Sequence, residues 1–174
     1  SEYLLAERLA VESIQDKPVF GGCIGPFSLA GRLFDLSEIM MALYTEPEII
    51  TLLLDKCTAF LKSYCQAIKE TGVQGVIIAE PAAGLISNDD CIRYSSFYVQ
   101  QIVEAVQDED FIVILHNCGN AGHCTDAMVK SGAKGLHFGN KIDMVSALNN
   151  TPKNILAMGN IDPVGIFKQA TVQE

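Results

Sequence analysis

The sequence has no long hydrophobic run and few basic residues. Apolar stretches such as residues 76–79 are far shorter than the roughly 20 residues that a membrane-spanning helix needs. Lysine and arginine number 12 against 21 aspartate and glutamate residues, so the formal net charge is −9. Binding to nucleic acid requires a clustered basic surface. The composition therefore argues against a membrane-spanning protein and against a nucleic-acid partner.

We expect no secretory signal, because Ser1–Tyr3 leads directly into an amphipathic pattern. Six cysteines are scattered at positions 23, 57, 65, 91, 118 and 124. Without a signal segment, a disulfide framework is not expected. We therefore expect a cytoplasmic protein whose cysteines are reduced and mostly packed as small hydrophobic residues.

What the chain does contain is enough apolar sequence for one domain over residues 1–174. Hydrophobic residues make up 49% of the sequence and charged residues 19%, which is typical of a folded globular protein. A chain of 174 residues is long enough to bury a hydrophobic core.

The most informative stretch is the apolar run 111–115, which leads directly into His116, Asn117, Cys118 and Gly119. A short β-branched run of this kind predicts a strand buried on both faces. In α/β folds, ligands collect just past the carboxyl ends of such strands. Residues i and i+2 of an extended backbone point to the same side, so His116 and Cys118 are positioned to bind one cation. Imidazole and thiolate are ligands that zinc favours, although a structural His–Cys pair without metal is the alternative.

Strands and helices are predicted to alternate along the chain. The expected strands lie near residues 19–24, 73–81, 111–115, 135–138 and 154–159, with helices between them. Such alternation predicts five parallel strands with crossover helices, either in an open doubly wound sheet or in part of a TIM barrel. A complete barrel needs about 250 residues. Because the chain opens within a helical pattern and ends where a helix capped by Thr171 is predicted, we favour a partial barrel from a longer chain.

Two helix predictions are specific enough to compare with a structure. Thr45 is predicted to cap a long helix that runs to about Glu70. Its expected core face comprises Ile49, Leu52, Leu53, Ala59, Phe60, Tyr64 and Ile68. A second helix is predicted over residues 120–131.

A catalytic zinc site needs about three protein ligands, so His116 and Cys118 require at least one more. Glu80, which follows a predicted strand, is the preferred local candidate, and Cys23 is a weaker one. His123 and Cys124 are discounted because adjacent helical residues point about 100° apart.

Two other polar residues, His137 and Arg32, are not assigned to the metal site. His137 lies within a predicted strand and is expected to be a satisfied core histidine. Arg32 either binds an anionic group or is a solvated helix cation.

Five motifs in series resemble the uroporphyrinogen decarboxylase superfamily, and more narrowly its zinc-dependent methylcobamide:coenzyme M methyltransferase branch. The motifs are residues 25–30, 44–48, 80–81 together with 85–87, 116–119 and 159–163. The resemblance implies a TIM barrel with its site at the carboxyl ends of the strands. It also implies a methyltransferase that moves a methyl group from a methylated corrinoid, such as methylcobalamin, to a small-molecule thiol such as coenzyme M.

The resemblance assigns roles to individual residues. His116 and Cys118 match two zinc ligands, and a third, cysteine ligand is expected beyond Glu174. Glu80 matches an acidic strand-end position at the same mouth, for which we predict a catalytic role. The expected partners are the thiol and a corrinoid or corrinoid protein.

Two alternatives remain. A uroporphyrinogen decarboxylase fits less well, because Pro81 follows Glu80 and because that reaction uses no metal. The second alternative is an inactive or incomplete barrel that serves only as a binding module. In isolation this chain is expected to bind zinc weakly. Its open strand edges would then favour a homo-oligomer.

Overall fold

A computed structural model describes residues 1–171 of the chain. Helices and strands alternate along it. The helices are α1 (Glu2–Ser13), α2 (Pro26–Phe34), α3 (Leu36–Thr45), α4 (Pro47–Lys69), α5 (Asn88–Cys91), α6 (Phe97–Val106), α7 (Thr125–Lys130) and α8 (Met144–Asn149). The strands are β1 (Phe20–Ile24), β2 (Gly75–Ala79), β3 (Ile112–Asn117), β4 (Gly135–Phe138) and β5 (Leu156–Met158). A 3₁₀ helix spans Pro81–Leu85, and a π-helical segment, Ile92–Ser96, joins α5 to α6.

The five strands form one parallel sheet in the order β1-β2-β3-β4-β5. A doubly wound sheet reverses its strand order at a switch point, whereas a barrel adds each strand beside the preceding one. Right-handed crossovers between consecutive parallel neighbours place all the helices on one face of the sheet. The fold is therefore part of a TIM barrel, which confirms the predicted fold class and rejects the doubly wound alternative.

The main core lies between the sheet and its helices. Alternate strand residues that face the helices are almost completely buried, namely Val76, Ile78, Val113, Leu115, Leu136 and Phe138. They pack against α4 and α6. On the opposite face, which is the inside of the barrel, Ile77 is 37% and Leu156 54% exposed, while Ile114 in the same row is 3% exposed. Alternation along each strand thus separates a packed outer face from a less completely covered inner one.

The predicted core face of α4 is confirmed at Ile68, which is buried, and is wrong at Ile49, Leu52 and Phe60, which are exposed. The buried residues of α4 are Ile50, Leu54, Cys57, Thr58, Leu61, Cys65 and Ile68. Both sets follow helical spacing, so periodicity alone does not choose between them. The predicted capping role of Thr45 is also wrong, because this residue ends α3 and Glu46 precedes α4 without a side-chain cap.

Within residues 1–171, no helix is both long and apolar enough to cross a membrane. The helix predicted to begin at Thr171 falls almost entirely outside the described residues.

Candidate metal centre

His116 and His137 lie side by side on the inner face of the sheet. The register pairs Ile24 with Ala79, Ala79 with His116, His116 with His137, and His137 with Met158. Paired residues of parallel strands point to the same face, so these five form one row across the mouth of the partial barrel. Each of the five is half-buried. The row therefore places two imidazoles on the open side of the sheet, near its carboxyl edge.

The ring of His116 is held by His137 in two ways. Its Nδ1 lies 3.2 Å from the backbone oxygen of His137 and 2.6 Å from Nδ1 of the same residue. The ring centroids are 4.6 Å apart. Burial, followed by repulsion from His137, lowers the pKa of His116 from its ordinary value of 6.5, and the hydrogen bond to the backbone offsets this in part. His116 is consequently neutral at neutral pH, as a metal ligand must be.

Cys118 is the exposed thiol of the chain and occupies the turn after β3. The buried Asn117 side chain shapes this turn, because its Oδ1 accepts hydrogen bonds from the backbone N–H groups of Gly119 and Asn120, both at 3.0 Å. An asparagine that bonds to backbone two and three residues ahead rigidifies a turn. Cys118 is therefore presented to solvent on a fixed loop beside the end of β3.

The predicted start of the helix after β3 is wrong, because α7 begins at Thr125 and not at Asn120. The buried Asn120 side chain accepts hydrogen bonds from the backbone of Gly122 at 2.8 Å and of Cys124 at 3.0 Å. These bonds compete with helix formation and extend the loop. Sequence analysis missed the roles of Asn117 and Asn120, although two asparagines around Gly119 are a recognisable turn signal.

Glycines bring the neighbouring loops into close contact with the Cys118 turn. A Cβ atom added at Gly84 would lie 2.5 Å from Cα of Gly119 and 2.6 Å from the backbone nitrogen of Asn120. One added at Gly139 would lie 2.8 Å from Cα of Cys118. The loops that follow β2 and β4 thus pack, backbone against backbone, on both sides of the candidate ligand.

We expect Gly84→Ala to destabilise the protein by about 1–3 kcal/mol, because the new methyl group would displace backbone and not a flexible side chain. The matched control is Gly22→Ala, at which the nearest atom to the new Cβ is the Ile77 oxygen at 4.0 Å. Chemical denaturation of both variants measures the difference. Equal stabilities for the two variants would contradict this close packing.

Glu80 does not face the mouth, contrary to the prediction. Its side chain is 1% exposed, and its two carboxylate oxygens accept hydrogen bonds from the backbone N–H groups of Phe27 at 3.1 Å and Ser28 at 2.6 Å. These donors lie in the first turn of α2, so Glu80 caps that helix. Burial raises the pKa of Glu80, while hydrogen bonds from Ser28, Phe27 and Ser95 partly offset the rise. A catalytic role for Glu80 stays a prediction, to which this geometry lends no support.

The other proposed third ligands also lie elsewhere. Sγ of Cys23 is 3.6 Å from Sγ of Cys65, on the helix-facing side of the sheet. Nε2 of His123 contacts the backbone oxygen of Ile86 at 3.2 Å, and the buried Cys124 thiol donates to the same oxygen at 3.6 Å. Within residues 1–171, no group of three or more His, Cys, Asp or Glu side chains is placed to hold a metal ion.

His137 is the site residue that sequence analysis misassigned. It was expected in the packed core, but it lies half-buried on the inner face beside His116. The isolated sequence carried no signal of this position, since strand pairing sets it.

A cavity of about 1030 Å³ adjoins this face between β1, β2 and α2. Its walls are mostly apolar, and Arg32 is the one cationic side chain among the described residues that line it. Arg32 is exposed, and no hydrogen bond or ion pair to another residue in 1–171 restrains its guanidinium group.

The donor set of this mouth suits zinc. His116 supplies a neutral imidazole whose Nδ1 is occupied by His137, and Cys118 supplies an accessible thiol on a rigid turn. An imidazole ring anchored through one nitrogen and free at the other is the usual state of a histidine metal ligand.

The sequence of the chain is similar to those of known proteins. The family profile described as uroporphyrinogen decarboxylase (URO-D) matches residues 3–174. A methylcobamide:CoM methyltransferase, MtbA, from Methanosarcina acetivorans is 33% identical over 162 residues, which are 92% of this chain and 47% of that protein. The MtbA of Methanosarcina mazei is 31% identical over the same length.

A decarboxylase and a solved structure are also similar. The uroporphyrinogen decarboxylase of Hamiltonella defensa is 26% identical over 180 residues, covering 98% of this chain and 50% of that protein. A solved methyltransferase from Methanosarcina mazei superposes with a TM-score of 0.83 at 25% identity, over 91% of this chain and 48% of that one. The chain thus spans about half the length of the relatives that it matches.

Proposed function

Because the chain belongs to the uroporphyrinogen decarboxylase (URO-D) family, we propose that it is part of a zinc-dependent methyltransferase that moves a methyl group from a methylated corrinoid to a thiol. The observation that carries this proposal is the His116–Cys118 pair, with its imidazole anchored on β4 and its thiol exposed at the end of β3. The curated relatives with the higher identity, 33% and 31%, are methylcobamide:CoM methyltransferases, whereas the decarboxylase relative is 26% identical.

In this proposal His116 and Cys118 hold the zinc ion together with a ligand from outside residues 1–171. A bound zinc ion would supply Lewis acidity that lowers the pKa of a coordinated substrate thiol. The residues of this chain position the ligands and the substrates. Asn117 fixes the turn that carries Cys118, and the row of half-buried residues on the inner face forms a floor of apolar and imidazole side chains for the thiol and the corrinoid.

The proposal is tested with the full-length protein, methylcobalamin as the donor and 2-mercaptoethanesulfonate as the acceptor. We expect the absorption spectrum of methylcobalamin to change to that of the demethylated form as the thioether accumulates. A zinc chelator should stop this conversion and added zinc should restore it. Release of CO₂ from uroporphyrinogen, without thiol methylation, would overturn the proposal in favour of the decarboxylase.

Arg32 gives the proposal a test of substrate preference. Its unpaired guanidinium group lines the cavity beside the mouth, so it is placed to bind an anionic group on the thiol. We expect Arg32→Ala to raise KM for 2-mercaptoethanesulfonate by about 10- to 100-fold, the range for loss of one charge-assisted hydrogen bond. KM for the neutral thiol 2-mercaptoethanol should change little.

The matched control for Arg32 is Arg93→Ala. The Arg93 guanidinium lies 5.0 Å from the centroid of the Tyr94 ring, away from the cavity lining. Equal KM increases for the anionic and neutral thiols in Arg32→Ala would assign Arg32 to packing and not to substrate charge.

A further inference from the structure

The contact between His116 and His137 is close enough to require a defined proton arrangement. The two Nδ1 atoms are 2.6 Å apart, and both rings are in the half-buried row on the inner face. Two unprotonated nitrogens at this distance would repel each other through their lone pairs. One of the two Nδ1 atoms therefore carries the proton that joins them.

The backbone identifies His116 as the donor. Nδ1 of His116 also lies 3.2 Å from the backbone oxygen of His137, which is an acceptor only. A proton on Nδ1 of His116 can be shared between the two acceptors in a three-centre hydrogen bond. If the proton were on His137 instead, the lone pair of His116 Nδ1 would face that carbonyl oxygen.

We propose that His137 is a positioning residue, which accepts the Nδ1 proton of His116 and so leaves Nε2 of His116 as the free lone pair at the mouth. The tautomer of a histidine follows from the hydrogen bond made by its other ring nitrogen. A partner that fixes both the tautomer and the ring orientation commonly changes metal affinity by 10- to 100-fold. This inference rests on the proposed function only in its last step, where Nε2 meets a zinc ion.

The test uses full-length protein labelled with ¹⁵N-histidine and read by long-range ¹H–¹⁵N NMR without metal. In the wild type we expect the Nδ1–H tautomer at His116. In His137→Phe, which keeps a ring and the backbone oxygen but removes the closer, side-chain acceptor, the Nε2–H tautomer should gain population relative to the wild type. His137→Gln, which restores an acceptor oxygen, should return His116 towards the wild-type state. The control His123→Phe should leave the His116 signals unchanged.

Zinc affinity, measured by chelator competition on the same proteins, supplies the second result. We expect a loss of about 10- to 100-fold in His137→Phe, partial recovery in His137→Gln and no change in His123→Phe. A wild-type His116 protonated at Nε2, or a tautomer and affinity unchanged in His137→Phe, would overturn the inference. If the wild type shows the Nδ1–H tautomer and binds no zinc, the tautomer assignment stands and the proposed function fails.

Discussion

Replacing Cys118 by serine, or His116 by alanine, is expected to remove stoichiometric zinc from the full-length protein and to abolish thiol methylation. Removing a residue that only hydrogen-bonds to a metal ligand already lowers metal affinity by about 10- to 100-fold. Removing a ligand itself should therefore lower metal affinity by more than about 100-fold. Cys118 is exposed and His116 is half-buried, so neither replacement opens a cavity in the core. The fold should therefore survive, and circular dichroism should remain that of the wild type.

Elemental analysis of the purified proteins measures this effect. The matched controls are His123→Ala and Cys57→Ala, because His123 contacts the backbone of Ile86 and Cys57 is buried in the core. Both control variants should retain one zinc per chain. Wild-type zinc content and turnover in both Cys118→Ser and His116→Ala would remove the metal site from this end of the sheet. The structural His–Cys interpretation would then hold.

Glu80→Ala is expected to lower the free energy of unfolding by about 2–4 kcal/mol. The substitution leaves the backbone N–H groups of Phe27 and Ser28 without an acceptor in a buried position. Each buried donor left without a partner costs about 1–3 kcal/mol, and the helix also loses an N-terminal carboxylate. Urea denaturation measures the loss.

Glu80→Gln separates a capping role from a catalytic one. Its single carbonyl oxygen can accept only one of the two backbone bonds, so we expect it to be less stable than the wild type and more stable than Glu80→Ala. The zinc-loaded folded variant should retain turnover. A folded Glu80→Gln with full stability and no turnover would instead support the predicted catalytic role.

The pH dependence follows from the raised pKa of Glu80. A folded-state pKa above the unfolded value means that the folded protein binds the proton more tightly. The stabilisation of the folded protein by the proton on Glu80 is therefore fully present below the ordinary pKa of 4.5. It declines as pH rises through the raised pKa of the folded state. We expect the difference in unfolding free energy between the wild type and Glu80→Gln to shrink as pH rises above 4.5. A difference independent of pH would contradict a protonated Glu80 in that range.

The sequence was sufficient for the order and the parallel direction of the strands, and the structure decided between a doubly wound sheet and a partial barrel. Continuous apolar runs gave five strands at nearly their observed places, and serial alternation with helices required them to be parallel. The strand that leads to His116 and the exposed thiol two residues later also followed from the sequence. Local composition determines these features, because a buried parallel strand needs unbroken apolar residues and its carboxyl end needs a turn.

Which face each residue adopts was decided by pairing between elements. Glu80 follows Ala79, and Ala79 shares the inner row with His116, so alternation turns Glu80 towards α2. The same pairing brings His137 beside His116, which lies 21 positions earlier in the chain. Likewise α4 buries Ile50 and Leu54 and exposes Ile49 and Leu52.

By itself, therefore, the sequence determined where strands and turns form and which chemical groups stand at their ends. The tertiary structure alone decided which of those groups meet. The physical reason is that strand register and helix rotation are set by contacts between residues far apart in the chain, and a shift of one residue moves a side chain to the opposite face.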